Sequence, residues 1–431
     1  MGDGMTTQPT SEILATYFIE TPRTLEEAAQ AIAGEQSTGT FVAVPGETED
    51  VRRRHRARIV SIKPLENVDD PSLPGAESPT KNGYARGVVE IAFPLENMGT
   101  NLPTVVATVL GNLTELKELS GIRLLDLDFP EAFADAYVGP QFGIEGTRRL
   151  SGVEERPIIG TIVKPSVGLS PEETARIVYD LALAGADFIK DDELMANAPH
   201  SPFDQRVAAV MDAVHRAAER TGRKLMYAFN ITDDLDNALR HHDTVVKAGG
   251  TCVMVSLNSM GIPAVAHLRK HAELPIHGHR NGWGMYTRHP AQGMAFRPYQ
   301  KLWKLAGVDH LHVNGIDNKF WEPNDSVVES ARSVLEPLWS SDVGRRYVAM
   351  PVLSSGQWGG QAPETYRRLQ SLDLMYLAGG GMLAHPGGPA AGCAAIRQAW
   401  EAAAAGIDLE EYAKDHQELA QSLERYGRRP K

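Results

Sequence analysis

Two positions apart, Lys190 and Asp192 share one face of an extended segment, and Glu193 follows where that segment gives way to a loop. A lysine between two carboxylates has two readings. As an ion pair it neutralises charge and nothing more. As a nucleophile, the same amine takes up carbon dioxide as a carbamate. Its charge then turns from cation to anion, and three oxygen ligands suited to magnesium result. Spacing alone leaves both open. His277 and His279 share a face in the same way, as do His310 and His312. A His-x-His pair can hold zinc, although barrel metallohydrolases usually carry that pair on an early strand. Gly379-Gly380-Gly381 follows an apolar run, and amides without side chains can cradle a phosphate there. Ser354-Ser355-Gly356 strengthens that reading. Lys164 and Lys319 are further cations at or after strand ends, and His241-His242-Asp243 reads as a solvated face.

These groups need elements that bring them to one place. From Arg156 onward, short apolar or β-branched runs recur, each followed by a helical stretch. The runs are Pro157–Lys164, Asp187–Asp192, Leu225–Asn230, Cys252–Leu257, Leu274–His279, His310–Asn314, Tyr347–Ser354 and Leu374–Ala378. Between them lie helix patterns such as Pro171–Ala184, Phe203–Thr221 and Asp234–Lys247. Strands alternating with helices imply a parallel sheet, and eight such units fit a (β/α)8 TIM barrel rather than an open doubly wound sheet. In such a barrel the strand C-termini meet at one rim, and six of the eight ends here are polar. Packing alone does not explain that, because charges are rarely buried unpaired. Residues 146–431 are expected to form the barrel, with C-terminal helices over Ala391–Gly406 and Leu409–Tyr426 packed outside it.

Residues 11–135 read as a separate α+β domain. Strands are expected at Glu12–Glu20, Ala57–Pro64 and Gly87–Phe93, helices at Thr24–Ala33 and Leu102–Val109, and a long loop over Asp69–Tyr84. Lys plus Arg total 43 and Asp plus Glu 55, a net charge of −12. That balance argues against a nucleic-acid partner, though a few focused cations suffice for a small anionic substrate. The two cysteines exclude a disulfide framework. No apolar run is long enough to span a bilayer and the N-terminus lacks a signal-peptide pattern, so no membrane association and a cytoplasmic location are expected.

The chain resembles the large subunit of ribulose-bisphosphate carboxylase (Rubisco). The residues that carry the resemblance are Gly160-Thr161-Ile162-Val163-Lys164-Pro165, Lys190-Asp191-Asp192-Glu193, His279-Arg280, Asp309-His310-Leu311-His312, Lys319, Ser354 to Gly356 and Gly379-Gly380-Gly381 with His385-Pro386. Glu35 to Thr40 and Gly111-Asn112 match in the N-terminal part. The resemblance implies an α/β protein: a C-terminal TIM barrel with an N-terminal α+β ferredoxin-like domain. It implies that Lys190 is carbamylated by carbon dioxide and, with Asp192 and Glu193, binds magnesium. Lys164 would transfer protons, His279 and His312 would surround the reacting carbons, and Lys319 would meet a carboxylate from a mobile loop. Arg280, Ser354, Gly356, Gly379 and Gly380 would line phosphate and hydroxyl sites. Glu35, Thr40 and Asn112 would come from the partner subunit, making the protein a homodimer or dimer-based homo-oligomer with no small subunit.

Departures from the carboxylases point elsewhere. Their second lysine, two residues after the proton-transfer lysine, is Ser166 here. Phe41 stands in place of a Trp, and Trp283 in place of a His. The run Ser355-Gly356-Gln357-Trp358-Gly359-Gly360-Gln361 is foreign to them. The chain therefore resembles Rubisco-like proteins, which share the fold and metal site without fixing carbon dioxide. The retained Lys319 and Arg280 and the run His279-Arg280-Asn281-Gly282-Trp283 are more similar to the sugar-acid group of apiose catabolism. The implied reaction is decarboxylation of a sugar phosphate, a branched 3-oxo acid like 3-oxo-isoapionate 4-phosphate, through an enediolate. The alternatives are the related transcarboxylase/hydrolase, and a methylthio-ketose phosphate enolase or isomerase.

Overall fold

The computed structural model describes residues 11–39, 44–79 and 83–427. Four strands come first: β1 (Glu12–Thr21), β2 (Arg58–Pro64), β3 (Ala85–Pro94) and β4 (Gly121–Asp128). They pair antiparallel in the order β4-β1-β3-β2, with helix Leu25–Glu35 between β1 and β2 and helix Leu102–Val109 between β3 and β4. That is the ferredoxin-like split βαβ arrangement. β1 alternates buried and partly exposed residues as a one-face-buried strand must. Thr24 and Glu27 form a capping box that starts the first helix, and Asn101 caps the second.

The later strands are β5 (Ile158–Ile162), β6 (Phe188–Lys190), β7 (Met226–Asn230), β8 (Cys252–Ser256), β9 (Ile276–His279), β10 (Gln292–Met294), β11 (His310–Asn314), β12 (Met350–Ser354) and β13 (Met375–Leu377). All but β10 form a closed parallel barrel in chain order, β13 pairing back onto β5. Each of the eight expected runs contains one barrel strand. β10 instead joins the first sheet, parallel to β4, where Arg123 Nη1 donates to the carbonyls of Thr287, His289 and Gln292. The chain accordingly divides into one compact unit of residues 1–137 and 282–305 and a second of residues 138–281 and 306–431.

Alternation along each barrel strand sorts the interior by height. The lower layer is mostly apolar: Ile158, Phe188, Met226, Cys252, Met350 and Met375 pack in one buried cluster, with the rings of His277 and His310 against Phe188. One or two pleats further up, the same strand faces carry Lys190, Asn230, His279, Asn314 and Ser354. The apolar floor therefore holds a polar rim. The expected helix over Leu409–Tyr426 is two helices, Leu409–Tyr412 and Gln417–Tyr426, because His416 between them has extended backbone and its ring Nδ1, not its amide, bonds the Tyr412 carbonyl at 2.7 Å.

Candidate active site

Lys190 ends β6 with its side chain 1% exposed. Its Nζ donates to the Asp191 carbonyl at 2.9 Å and to Glu193 Oε2 at 3.3 Å. Burial lowers its proton affinity, against the charges of Glu193 and Asp192 that raise it. Asp192 turns to the neighbouring strand end, where Lys164 Nζ meets its Oδ2 at 2.5 Å. Lys164 also donates to Ser166 Oγ at 2.9 Å, so the position where carboxylases carry a second cation here supplies an acceptor. Asn230 on β7 donates to the carbonyls of both Asp192 and Glu193 and fixes the turn that presents the two carboxylates. Burial raises the Glu193 carboxyl, but the charges of His279 and Lys190, its own backbone amide and the Lys190 hydrogen bond outweigh it and hold it below the usual range.

Three of the four strand histidines, His310, His277 and His312, form a chain rather than a zinc site. Thr147, on the helix Gly143–Ser151, donates its hydroxyl hydrogen to the Gly143 carbonyl and so accepts from His310 Nε2 at 2.7 Å. That leaves His310 Nδ1 bare, to accept from His277 Nδ1 at 3.2 Å. His277 Nε2 then accepts from His312 Nε2 at 2.7 Å, and His312 Nδ1 accepts from Ser354 Oγ at 3.3 Å. One hydroxyl rotor thus fixes three tautomers, provided each ring is neutral. Burial makes them so: it lowers His310 to about 3 and holds His277 and His312 well below 6.5. His279 is lowered to about 4, first by burial and then by Lys190. Its Nδ1 lies 3.2 Å from the Asn281 backbone nitrogen and 3.3 Å from Asn281 Oδ1, and its Nε2 faces Glu193 Oε2 at 3.6 Å.

This neutrality has a consequence for stability. Between about pH 6.5 and pH 3 the unfolded chain protonates His310 while the folded barrel does not, and the other three rings are shifted in the same direction. Stability is therefore lost as pH falls through that window, by about 1.4 kcal/mol per pH unit for His310. Urea unfolding of wild type and His310→Gln at pH 7.5, 6.5, 5.5 and 4.5 measures it. The variant should show a pH slope shallower by about that amount. Equal slopes would mean that His310 is not held neutral.

The remaining rim groups lie at or after the ends of the last four barrel strands. Lys319, in the exposed loop after β11, has its backbone amide on the Ser355 carbonyl at 3.1 Å, and its Cβ borders Gly356. Arg280 is buried, and its Nη2 donates to Glu322 Oε2 at 2.7 Å. Open space adjoins Gly379 and Gly380, whereas Gly381 lies against the backbone of Gln357 and Trp358 and has no room for a side chain. In the other compact unit, Asn112 Nδ2 donates to Glu35 Oε1 at 3.4 Å. Thr40 and Phe41 lie outside the described residues.

His241 and His242, expected on a solvated face, are buried. His241 packs its ring on Phe203 at 4.1 Å and bonds Asp233, while His242 Nε2 accepts the Glu273 amide. Only the neighbouring Asp243 and His271 are partly open. His242, Asp243 and His271 gather as ligands would, within 4.8 Å. Yet His242 Nε2 is already an acceptor, so its Nδ1 must carry the hydrogen it gives Asp243 and has no lone pair for a metal. The carboxylate set at β6 is therefore the better cation site.

A barrel with this rim defines a class, and the chain belongs to it: residues 143–426 match the family model of the ribulose bisphosphate carboxylase large chain, catalytic domain, and residues 4–133 match that of its N-terminal domain. Among its relatives is a 3-oxo-isoapionate-4-phosphate decarboxylase of Rhizobium etli, 51% identical over 96% of this chain and 99% of that protein. A 3-oxo-isoapionate-4-phosphate transcarboxylase/hydrolase of Xanthobacter autotrophicus is also 51% identical, over 95% of this chain and 98% of that protein. The crystal structure of a rubisco-like protein from Burkholderia fungorum superposes with a TM-score of 0.91 at 45% identity, covering 97% of this chain and 100% of that one. Among the described residues, no helix is long and apolar enough to cross a membrane.

Proposed function

We propose that this protein is a carboxy-lyase that decarboxylates a branched 3-oxo sugar acid phosphate of the 3-oxo-isoapionate 4-phosphate type. The observation that carries this reading is Lys319, a cation pinned at the end of β12 in a barrel whose rim also holds the Lys190, Asp192 and Glu193 set. A keto acid needs a positive group where its carboxylate sits, and an enolase does not need one for its chemistry.

The residues at the end of β6 fit magnesium. A carbamate forms when a neutral amine attacks carbon dioxide and loses one proton, and burial favours the neutral amine of Lys190. The product, with Asp192 and Glu193, is an all-oxygen donor set of the kind a hard cation takes. Magnesium bound there supplies polarisation of the substrate carbonyl. Lys319 holds the departing carboxylate. When the carbon–carbon bond breaks, its electron pair moves into the adjacent carbonyl, giving the enediolate. Lys164, within reach of Asp192 and Ser166, returns a proton to carbon, and His279 hydrogen-bonds a substrate oxygen, whereas both nitrogens of His312 are taken by His277 and Ser354, so His312 orients Ser354 at the rim and does not meet the substrate itself. Gly356, Gly379, Gly380 and Ser354 line the phosphate and hydroxyl positions, with Arg280 adding positive charge nearby. The expected result with such a substrate is magnesium-dependent release of one carbon dioxide per ketose phosphate formed. Magnesium-independent turnover would sink the reading.

The cytoplasmic location and the dimer belong to the same reading. Glu35, Thr40 and Asn112 of the partner subunit complete each site, without a small subunit. Mixing Asn112→Ala chains with Lys190→Ala chains makes half the dimers hybrid, each with one intact site. About a quarter of wild-type activity should return, assuming random exchange between two-fold partners. No recovery after verified exchange would place all the residues of a site in one chain.

A further inference from the structure

The run Ser355 to Gln361, foreign to carboxylases, lies against the base of the loop that carries Lys319. Gln357 Nε2 and Gln361 Nε2 both donate to the Ile316 carbonyl, at 3.1 and 3.2 Å. The orientation of each amide is set by its partners. Gln361 Oε1 accepts from the Trp358 amide at 2.8 Å, so its NH2 must point at Ile316. The Ile316 carbonyl can only accept, so it takes the Gln357 NH2 as well, and Gln357 Oε1 lies 3.1 Å from the Tyr376 hydroxyl, whose shorter bond, at 2.8 Å, goes to the Trp358 carbonyl. Gln357 and Ile316 are each 1% exposed. Gly315 is a glycine because a Cβ there would sit 2.0 Å from the Gln357 amide carbon.

The far side of the loop is fastened too. Ser355 and Gly356 both have left-handed backbone, at φ 76° and 86°, which turns the Ser355 carbonyl onto the Lys319 amide. A serine in that conformation is uncommon and persists only where its surroundings hold it. Its hydroxyl is held by Asn314 Oδ1 at 2.7 Å. Glu322, at the other end of the loop, accepts from Arg280 and Asn314 through Oε2 and from Ser326 through Oε1. Asn318 ties the Gly315 and Glu322 carbonyls together. The exposed tip, with Lys319 and Phe320, stands on this base.

We propose that Gln357 and Gln361 are positioning residues that latch the Ile316 carbonyl and so fix where Lys319 presents its ammonium group. They touch no reacting atom in this account and act through Lys319 alone. The inference rests on the catalytic role given to Lys319 above, but the latch can be read without it. Gln361→Met keeps the length of the side chain and removes the donor. Gln361→Glu keeps the oxygen for Trp358 and also removes the donor, so either variant serves if the other fails to fold.

The first readout is tryptic cleavage between Lys319 and Phe320 in the magnesium-loaded enzyme. Both variants should be cut there at least several-fold faster than wild type at an unchanged thermal midpoint. An unchanged cleavage rate would overturn the latch, whatever the reaction proves to be. The second readout is a double-mutant cycle. Gln361→Met should lower kcat/KM about 10- to 100-fold, as misplacement of a positioned catalytic group by about 1 Å does. In a Lys319→Ala background it should change the remaining rate less than about twofold. Equal losses in both backgrounds would make the glutamines merely structural. Faster cleavage with no decarboxylation by wild type would leave the latch standing and remove the reaction assigned to it.

Discussion

Lys319→Ala should lower carbon dioxide release from a 3-oxo sugar acid phosphate by about 10²-fold, the loss typical when a group that orients the reacting bond is removed or misplaced. The same change should leave proton exchange on a ketose phosphate that lacks the carboxylate within about tenfold of wild type, since the cation then has no anion to hold. Comparing the two substrates on one protein separates a cation used in chemistry from one that merely keeps the rim folded. Lys319 is suited to this comparison because its side chain is exposed and its fixed contact is through its backbone amide, which alanine keeps. Equal losses on both substrates would mean that Lys319 does not act on a carboxylate.

Lys190→Ala should be the more damaging substitution. It removes one of the three proposed ligands and, in the uncarbamylated state, the Nζ that bonds Glu193 at 3.3 Å. Loss of Lewis-acid stabilisation, several kcal/mol, corresponds to about 10³-fold or more in turnover. Calorimetric titration should show magnesium binding to wild type strengthened by bicarbonate preincubation, and no such strengthening in Lys190→Ala. Full activity of Lys190→Ala in the presence of a chelator would remove the metal from the account. A bicarbonate effect equal in both proteins would remove the carbamate and leave the simple ion pair.

The barrel was legible because each strand is a short apolar run between helical patterns, and its rim because charged residues close those runs. Other features were hidden for identifiable reasons. β4 has a bulge: Tyr17 pairs with Leu124 and Thr16 with Asp126, so Leu125 is extra and the two-residue alternation fails. β10 has three residues and joins a sheet whose other strands lie more than 160 positions earlier, a placement that Arg123 secures and local pattern does not reveal. The His-x-His pairs showed which way the rings face. Their tautomers depend on Thr147, 163 residues before His310, and no spacing rule reaches that far. His241 and His242 looked solvated because the sequence around them is polar, while Phe203 and the Glu273 amide that bury them come from other elements. The run from Ser355 to Gln361 stood out as different, but what its glutamines hold, the Ile316 carbonyl, is visible only in the fold.

The fate of the carboxyl carbon tests the central claim most directly. The purified, magnesium-loaded enzyme is given 3-oxo-isoapionate 4-phosphate labelled with ¹³C in its carboxyl group, and the products are followed by carbon NMR. Decarboxylation puts the label in carbon dioxide and bicarbonate and leaves an unlabelled ketose phosphate. Label appearing in phosphoglycerate, with glycolate formed beside it, would show that the carboxyl group was moved and not lost. No consumption of this substrate, with proton exchange on a methylthio-ketose phosphate instead, would contradict the account and make the protein an enolising enzyme.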